Sequence, residues 1–283
     1  MRKLLLTLGV LLALTACEQA IPADDSGERE ESKGNLVVSI FQLEQTPFTR
    51  AAVSASCTRL NFAVYDSEGT RLSQVNQKTG DADFGTASFQ LPEGTYQLVA
   101  VAHSSDGNPT MTDPTKIKFT NTQGYTDTFL YQTSVTVEGQ TQTLSLSLSR
   151  IVSLCRVVIT DNIPANVAQL RFQYKGGSGA FNAFTGLGSV NSTQTVFFPA
   201  SAPRQYDLYT FLHDEEDTIH LLATAYDAND NVLCEREFDV PLLRNQITWL
   251  TGDFFTNGGA NASQLMSTVT INTQWAGEQH LSF

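Results

Sequence analysis

Basic residues are scarce in this sequence of 283 residues: 17 Lys and Arg stand against 29 Asp and Glu, giving a net charge of −12. No cluster of Lys or Arg longer than two occurs. Without a basic face to neutralise phosphates, nucleic acid is excluded as a partner. Cysteine is also sparse. Cys17 lies near the N-terminus, and Cys57, Cys155 and Cys234 are scattered singly, with none of the CxxC spacing that zinc or redox chemistry uses. An odd number leaves two readings, buried small apolar residues or one disulfide with a leftover thiol. His103, His213, His220 and His280 show no HExxH or other ligand spacing, so no metal centre is expected. There is no GxSxG elbow, and no Ser or Cys sits in a nucleophile context. A carboxylate pair for glycoside hydrolysis can come from anywhere in a chain, but nothing singles one out. Catalytic residues and cofactors are therefore both expected to be none.

Long apolar runs are missing as well, except at the start. Arg2 and Lys3 precede the apolar stretch Leu4 to Leu14, which ends at Thr15-Ala16-Cys17. The run is shorter than the ~20 residues a membrane-spanning helix needs, and it stops at small residues, as a cleaved signal peptide over 1–16 does. Leu14-Thr15-Ala16-Cys17 resembles the bacterial lipobox, which implies a lipid on Cys17 as the first mature residue. Two or three acyl chains would hold the chain stably on a membrane, whereas one binds marginally. Residues 17–34 are acidic and broken by Pro22, Gly27 and Gly34, the composition of a disordered tether. In Bacteroidetes lipoproteins such acidic residues accompany export to the outer face of the outer membrane, and the resemblance implies the same location here.

From residue 35 the pattern is one of short β-rich runs separated by turn residues, with little helical periodicity. Strands are predicted at Asn35–Leu43, with Leu36, Val38 and Ile40 on one face, then at Arg59–Asp66, Thr70–Lys78, Gly85–Leu91, Thr95–His103, Lys116–Asn121 and Thr128–Val137. The turns Ser67-Glu68-Gly69 and Pro92-Glu93-Gly94 make hairpins of four of them. In Thr143–Asp161, Leu144, Leu146 and Leu148 share one parity, but Ile151, Cys155, Val157 and Ile159 share the other. A one-residue slip turns every side chain to the opposite face, so the chain is expected to cross near Ser149-Arg150 from one sandwich into a second. Further strands are predicted at Gln169–Tyr174, Gln194–Phe198, Tyr206–Leu212, Ile219–Asp227, Val232–Val240, Gln246–Gly252 and Ser267–Trp275. Many short strands with frequent turns mean an all-β sandwich or barrel.

Three polar segments offer weaker signals. Gly176-Gly177-Ser178-Gly179 has no following Lys-Ser or Lys-Thr and reads as a loop, not a phosphate cradle. The run Asp214–Asp217 and the turn Asp227–Asn231 carry oxygen ligands without the spacing of a calcium loop, and read as solvated turns or as calcium sites.

The segment Phe238 to Phe255, which contains Val240-Pro241-Leu242-Leu243-Arg244-Asn245, Thr248 and Gly252, is similar to the late strand pair of the fimbrillin-type lipoproteins of Bacteroidales. Phe181 to Gly186 and Leu91 to Tyr96 add to the resemblance, which spans roughly residues 34–275. It implies two tandem transthyretin-like β-sandwiches, here 35–149 and 150–283, in a non-enzymatic fimbrial subunit or anchor that promotes adhesion. The implied partners are other fimbrial subunits, the outer membrane through the lipid, and a host or bacterial surface receptor. In this family subunits polymerise after a protease cuts behind a basic residue, the first strand leaves, and a neighbour's terminal strand fills the groove. Leu36–Leu43 matches the displaced strand, and Arg50-Ala51 is either the processing site or an ordinary loop. Thr268–Trp275, with Val269, Ile271 and Trp275, is a candidate donor. Stalk, tip and anchor roles stay open. The alternative is a monomeric surface lipoprotein that binds glycan or host protein through the loops Ser104–Pro114 or Gly176–Gly188.

A Cys17→Ser chain is expected to lose incorporation of labelled palmitate and to move from the membrane to the soluble fraction. Label retained by that variant would overturn the lipid assignment.

Overall fold

The computed structural model describes residues 34–44, 46–47, 57–120, 124–256, 275 and 277–283. The fold is all-β: among the described residues there is no helix, and the strands run in the order β1 (Gly34–Leu43), β2 (Thr46–Pro47), β3 (Arg59–Tyr65), β4 (Arg71–Lys78), β5 (Thr86–Leu91), β6 (Gly94–His103), β7 (Ile117–Lys118), β8 (Phe129–Val137), β9 (Gln142–Arg150), β10 (Ser153–Ile159), β11 (Gln169–Gly177), β12 (Ala180–Phe181), β13 (Ser192–Pro199), β14 (Gln205–Thr210), β15 (Glu216–Tyr226), β16 (Val232–Leu243), β17 (Gln246–Gly252) and β18 (Gly277–Ser282).

In the first half, β5-β1-β9 forms one layer and β4-β3-β6-β8 the other. The β8–β9 ladder holds only at Phe129↔Arg150 and Leu130↔Ser149, after which the strands diverge into opposite layers. Leu36, Val38 and Ile40 of β1 point into this core with Leu60, Phe62, Phe89, Leu98 and Leu148. The ladder shifts register between Ile40 and Gln42, and this bulge changes the parity so that Leu43, not Gln42, is buried.

The second half repeats the plan strand for strand. Like β1, β10 lies between an antiparallel strand, β14, and a parallel one, β17. The opposing layer is β13-β11-β15-β16, in the order that β4-β3-β6-β8 takes in the first half. Cys155, Val157 and Ile159 point into this second core, whereas Leu146 and Leu148 belong to the first. The phase change read in the sequence is thus the break between β9 and β10, where Ile151 and Val152 separate the two strands.

A third apolar cluster joins the halves. β3 and β6 are buried on both faces, and their outward residues Ala63, Tyr65, Val99 and Val101 pack with Met111, Ile117, Phe119 and Tyr125 and with Phe181 and Phe211 of the second half. Phe119 stacks on Phe211 with ring centroids 6.1 Å apart, and β7 pairs with β12 across the junction. Of the strand expected at Lys116–Asn121, Ile117–Lys118 forms β7, Ile117 and Phe119 are buried in this cluster, and Asn121 lies outside the described residues. The glycine run at 176–179 also departs from a simple loop. β11 continues through Gly177, where a Cβ would collide with Oγ1 of Thr210. β16 runs on through Pro241, which its position as an edge strand permits.

His103 closes β6 beneath this cluster. Its Nε2 lies 2.8 Å from Oδ1 of Asn61, and its Nδ1 accepts the Ser105 N–H at 3.0 Å, so the ring is held neutral with Nε2 as donor. Burial, reinforced by the positive charge of Arg59, lowers its pKa from 6.5 to about 3. Because the folded value lies below the unfolded one, the contribution to stability is complete above pH 6.5 and is lost as pH falls towards 3. The urea midpoint should therefore fall from pH 6.5 to 5, with a His-dependent slope of at most about 1.4 kcal/mol per pH unit. His103→Gln should flatten that slope, and an unchanged slope would exclude His103 as its source.

Candidate functional site

The first strand is internal to its layer. β1 pairs with β5 from Gly34↔Leu91 to Ser39↔Thr86 and, in parallel, with β9 from Leu36↔Gln142 to Leu43↔Leu148. Leu36, Val38, Ile40 and Leu43 are each at most 6 % exposed. At ~1.5–3 kcal/mol for each buried aliphatic side chain, withdrawing the strand would forfeit roughly 6–12 kcal/mol and leave a slot between β5 and β9. That loss rivals the whole net stability of a typical domain, about 5–15 kcal/mol.

Immediately after β1, Glu44 has a left-handed backbone (φ 50°), uncommon for a residue of this type. Its placement is explained by Arg150, the last residue of β9, whose backbone N–H donates to Oε1 of Glu44. The Arg150 side chain is buried. Its Nε and Nη2 donate to the two carboxylate oxygens of Asp127 at 2.6 and 2.8 Å. The guanidinium carbon stands 3.8 Å from the centre of the Trp275 ring and 4.8 Å from that of Phe129. Asn245, also left-handed (φ 55°), completes the cluster, with Oδ1 3.4 Å from Nη1 of Arg150 and Nδ2 3.4 Å from Oε1 of Glu44. The end of β1, the start of β8, the end of β9, the β16–β17 turn and the approach to β18 therefore meet at one residue, Arg150.

The C-terminal strand β18 adds in parallel to β17, from Gln246↔Gly277 to Thr251↔Ser282. Leu281 enters the second core, and Phe283 packs on Phe238 at 4.8 Å. On the outer face the His280 ring stacks on Trp249 at 5.4 Å, the Trp249 Nε1–H donates to Glu278 at 3.2 Å, and Arg156 covers Trp249 at 4.9 Å while gripping Asp207 with two hydrogen bonds. Nearby, the Asp161 carboxylate accepts the N–H groups of Phe254, Phe255 and Thr256. Partial burial opposes its ionisation, but these hydrogen bonds outweigh it and hold its pKa below the usual range. This fastens the end of β17 to the end of β10.

Among the residues singled out in the sequence, Trp275 belongs to the Arg150 cluster and also lies 6.4 Å from Tyr209, ring to ring. Cys17, Arg50, Ala51, Val269 and Ile271 lie outside the described residues, as does the strand expected at Ser267–Trp275 apart from Trp275 itself, which is not in a strand. The two loops considered for ligand binding are engaged with each other: the Ala183 N–H donates to the Pro114 carbonyl at 2.8 Å, and Met111, Phe181 and Ala183 are buried. The Asp227 carboxylate is used within its own turn, accepting the Asn229 and Asn231 N–H groups at 2.8 and 2.9 Å, and Glu215 pairs with Arg244 at 2.8 Å. Glu44 and Asp127 had no signal in the sequence, and Asn245 stood out only as part of the family-like segment Val240–Asn245, because their meeting depends on contacts between residues far apart in the chain. Arg150 was marked only by the parity change beside it.

The family model described as "Family of unknown function (DUF6562)" matches residues 26–282. No curated protein matches the chain. Among solved structures, a candidate adhesin from Bacteroides ovatus is similar in fold, with a TM-score of 0.51 and 13 % identity over 80 % of this chain and 88 % of that one. A fimbrial assembly protein from Parabacteroides distasonis has a TM-score of 0.42 and 11 % identity, covering 78 % of this chain and 91 % of its own. The fimbrial anchor protein Mfa2 from Porphyromonas gingivalis also has a TM-score of 0.42, with 14 % identity, covering 72 % of this chain and 82 % of its own. The solved structures similar to this chain thus include fimbrial and adhesin proteins of Bacteroidales.

Cys57, Cys155 and Cys234 are free thiols in this structure, the first two buried and the third half-buried against the Phe254 carbonyl at 3.3 Å. Burial raises the Cys57 and Cys155 thiols to about 12, which makes them poor nucleophiles. In a Cys17→Ser chain, a thiol reagent at pH 8 should react with all three only in denaturant, and natively with Cys234 at most. Fewer than three thiols in denaturant would restore the disulfide reading.

Proposed function

Because the chain belongs to the DUF6562 family, whose function is unknown, we propose its role from its geometry: a non-enzymatic, lipid-anchored fimbrial subunit or anchor of the cell surface that assembles by strand addition and promotes adhesion. The observation that carries this reading is the setting of β1. It is an internal strand with hydrogen-bonding neighbours on both sides and four buried apolar side chains, yet it is the first of the described strands and is followed by Arg50-Ala51. A cut after Arg50 would make β1 a non-covalent occupant of its own groove. The buried area would keep it there until an incoming strand replaced its hydrogen bonds and filled the same pockets. β10, its counterpart in the second half, is continuous with β9 through Ile151 and Val152 and cannot be released by a single cut. Exchange would therefore be confined to the first half, and the division into domains at 35–149 and 150–283 is part of the same reading. The partners are other fimbrial subunits and the outer membrane through Cys17. The alternative of a monomeric binder has less support, since the loops it would use are packed on each other.

The test is N-terminal sequencing and gel mobility of protein recovered from the cell surface, beside an Arg50→Ala variant. A chain beginning at Ala51 that forms heat-resistant ladders, with both properties lost in the variant, is expected. A chain still beginning at Cys17 that runs as a monomer would remove the polymerising reading and leave an anchor or a binder.

A further inference from the structure

We propose that Arg150 is a latch shared by the first and last strands, so that departure of the end of β1 loosens the hold on β18. The inference builds on the reading of β1 as an exchangeable strand. Glu44 and Trp275 touch different parts of one residue: Glu44 accepts the Arg150 backbone N–H, and Trp275 lies against the Arg150 guanidinium at 3.8 Å. Asn245 links them further, because it contacts both Glu44 and Arg150 and opens the segment that leads into β17, on which β18 rests.

The bidentate pair of the guanidinium with Asp127, and its contact with the Phe129 ring at 4.8 Å, come from the first half. When Glu44 leaves with β1, the Arg150 amide and Asn245 each lose an acceptor in a partly buried site. The Asn245 side chain, on a backbone at positive φ whose N–H donates to the Val152 carbonyl at 3.2 Å, then holds Arg150 less firmly. The guanidinium shifts towards Asp127 and away from Trp275. Trp275 is separated from the first residue of β18 by Ala276 alone, so its release frees the N-terminal end of β18 first. A chain that has given up its own first strand would then offer its last strand more readily, which gives growth a direction. By reciprocity of linkage, loosening Trp275 should in turn weaken the hold on Glu44.

The test uses the full folded chain with Cys17→Ser, follows amide hydrogen exchange strand by strand, and reads Trp275 fluorescence in a Trp249→Phe background. Glu44→Ala, which touches no residue of β18, should raise exchange in β18 about tenfold and shift Trp275 emission to the red, while exchange in β11 stays unchanged. Trp275→Leu should raise exchange at the end of β1. Arg150→Met should do both, and if that chain fails to fold, the Glu44 and Trp275 variants still decide the matter. A β18 rate within twofold of the parent in Glu44→Ala, or a rise matched by an equal rise in β11, would overturn the latch. These measurements need no cut at Arg50, so the latch and the strand-exchange reading can fail independently.

Discussion

A buried guanidinium must be paired, and in this protein that requirement organises the junction. Arg150 stands at the last position of β9, where the chain crosses from one core to the next, and it is only 8 % exposed. Removing one partner of such a pair leaves an uncompensated charge and typically costs ~3–5 kcal/mol, even where the pair itself adds little net stability. The bidentate grip of Asp127 and the two aromatic rings fix the guanidinium in one place. Its backbone and remaining nitrogen then determine where Glu44 and Asn245 can sit. The specificity of the junction comes from this demand for partners, and its apolar bulk from Phe119, Phe181 and Phe211 alongside.

The two halves share one strand plan without a sequence repeat, and their differences carry the functional argument. Both have a first strand between an antiparallel and a parallel neighbour. In the first half that strand is the first described element, whereas in the second it follows β9 after Ile151 and Val152 alone. The second half also has β18 on the outer edge of β17, whereas the equivalent edge of β9 is paired with β8 at Phe129↔Arg150 and Leu130↔Ser149.

Much of this was legible in the sequence. Alternation placed Leu36, Val38 and Ile40 on one face, and the parity change after Leu148 marked the crossing to β10, because a buried face imposes a period of two whatever the partner strand. Other features left no such trace. β18 has the polar sequence Gly277–Ser282, and over Glu278–Ser282 Leu281 alone is buried, so its strand character depends on the β17 edge it joins. The third core was hidden for the opposite reason. Ala63, Tyr65, Val99 and Val101 occupy positions that alternation assigns to a half-buried face, and only the arrival of the second half covers them. The Arg150 cluster draws on residues from 44 to 275, a span that no local pattern encodes.

The parallel pairing of β1 with β9 also sets the order in which the protein can be made. Leu36 meets Gln142 roughly 100 residues later, a closure whose logarithmic entropy alone is about 4 kcal/mol. As the chain emerges from its N-terminus, the apolar face of β1 must wait, uncovered on its β9 side, until β9 appears. β10 waits likewise for β17, and the edge of β17 waits for the last residues of all. A chain built in this way spends most of its emergence with exposed strand edges, and those edges must be kept apart until β18 arrives.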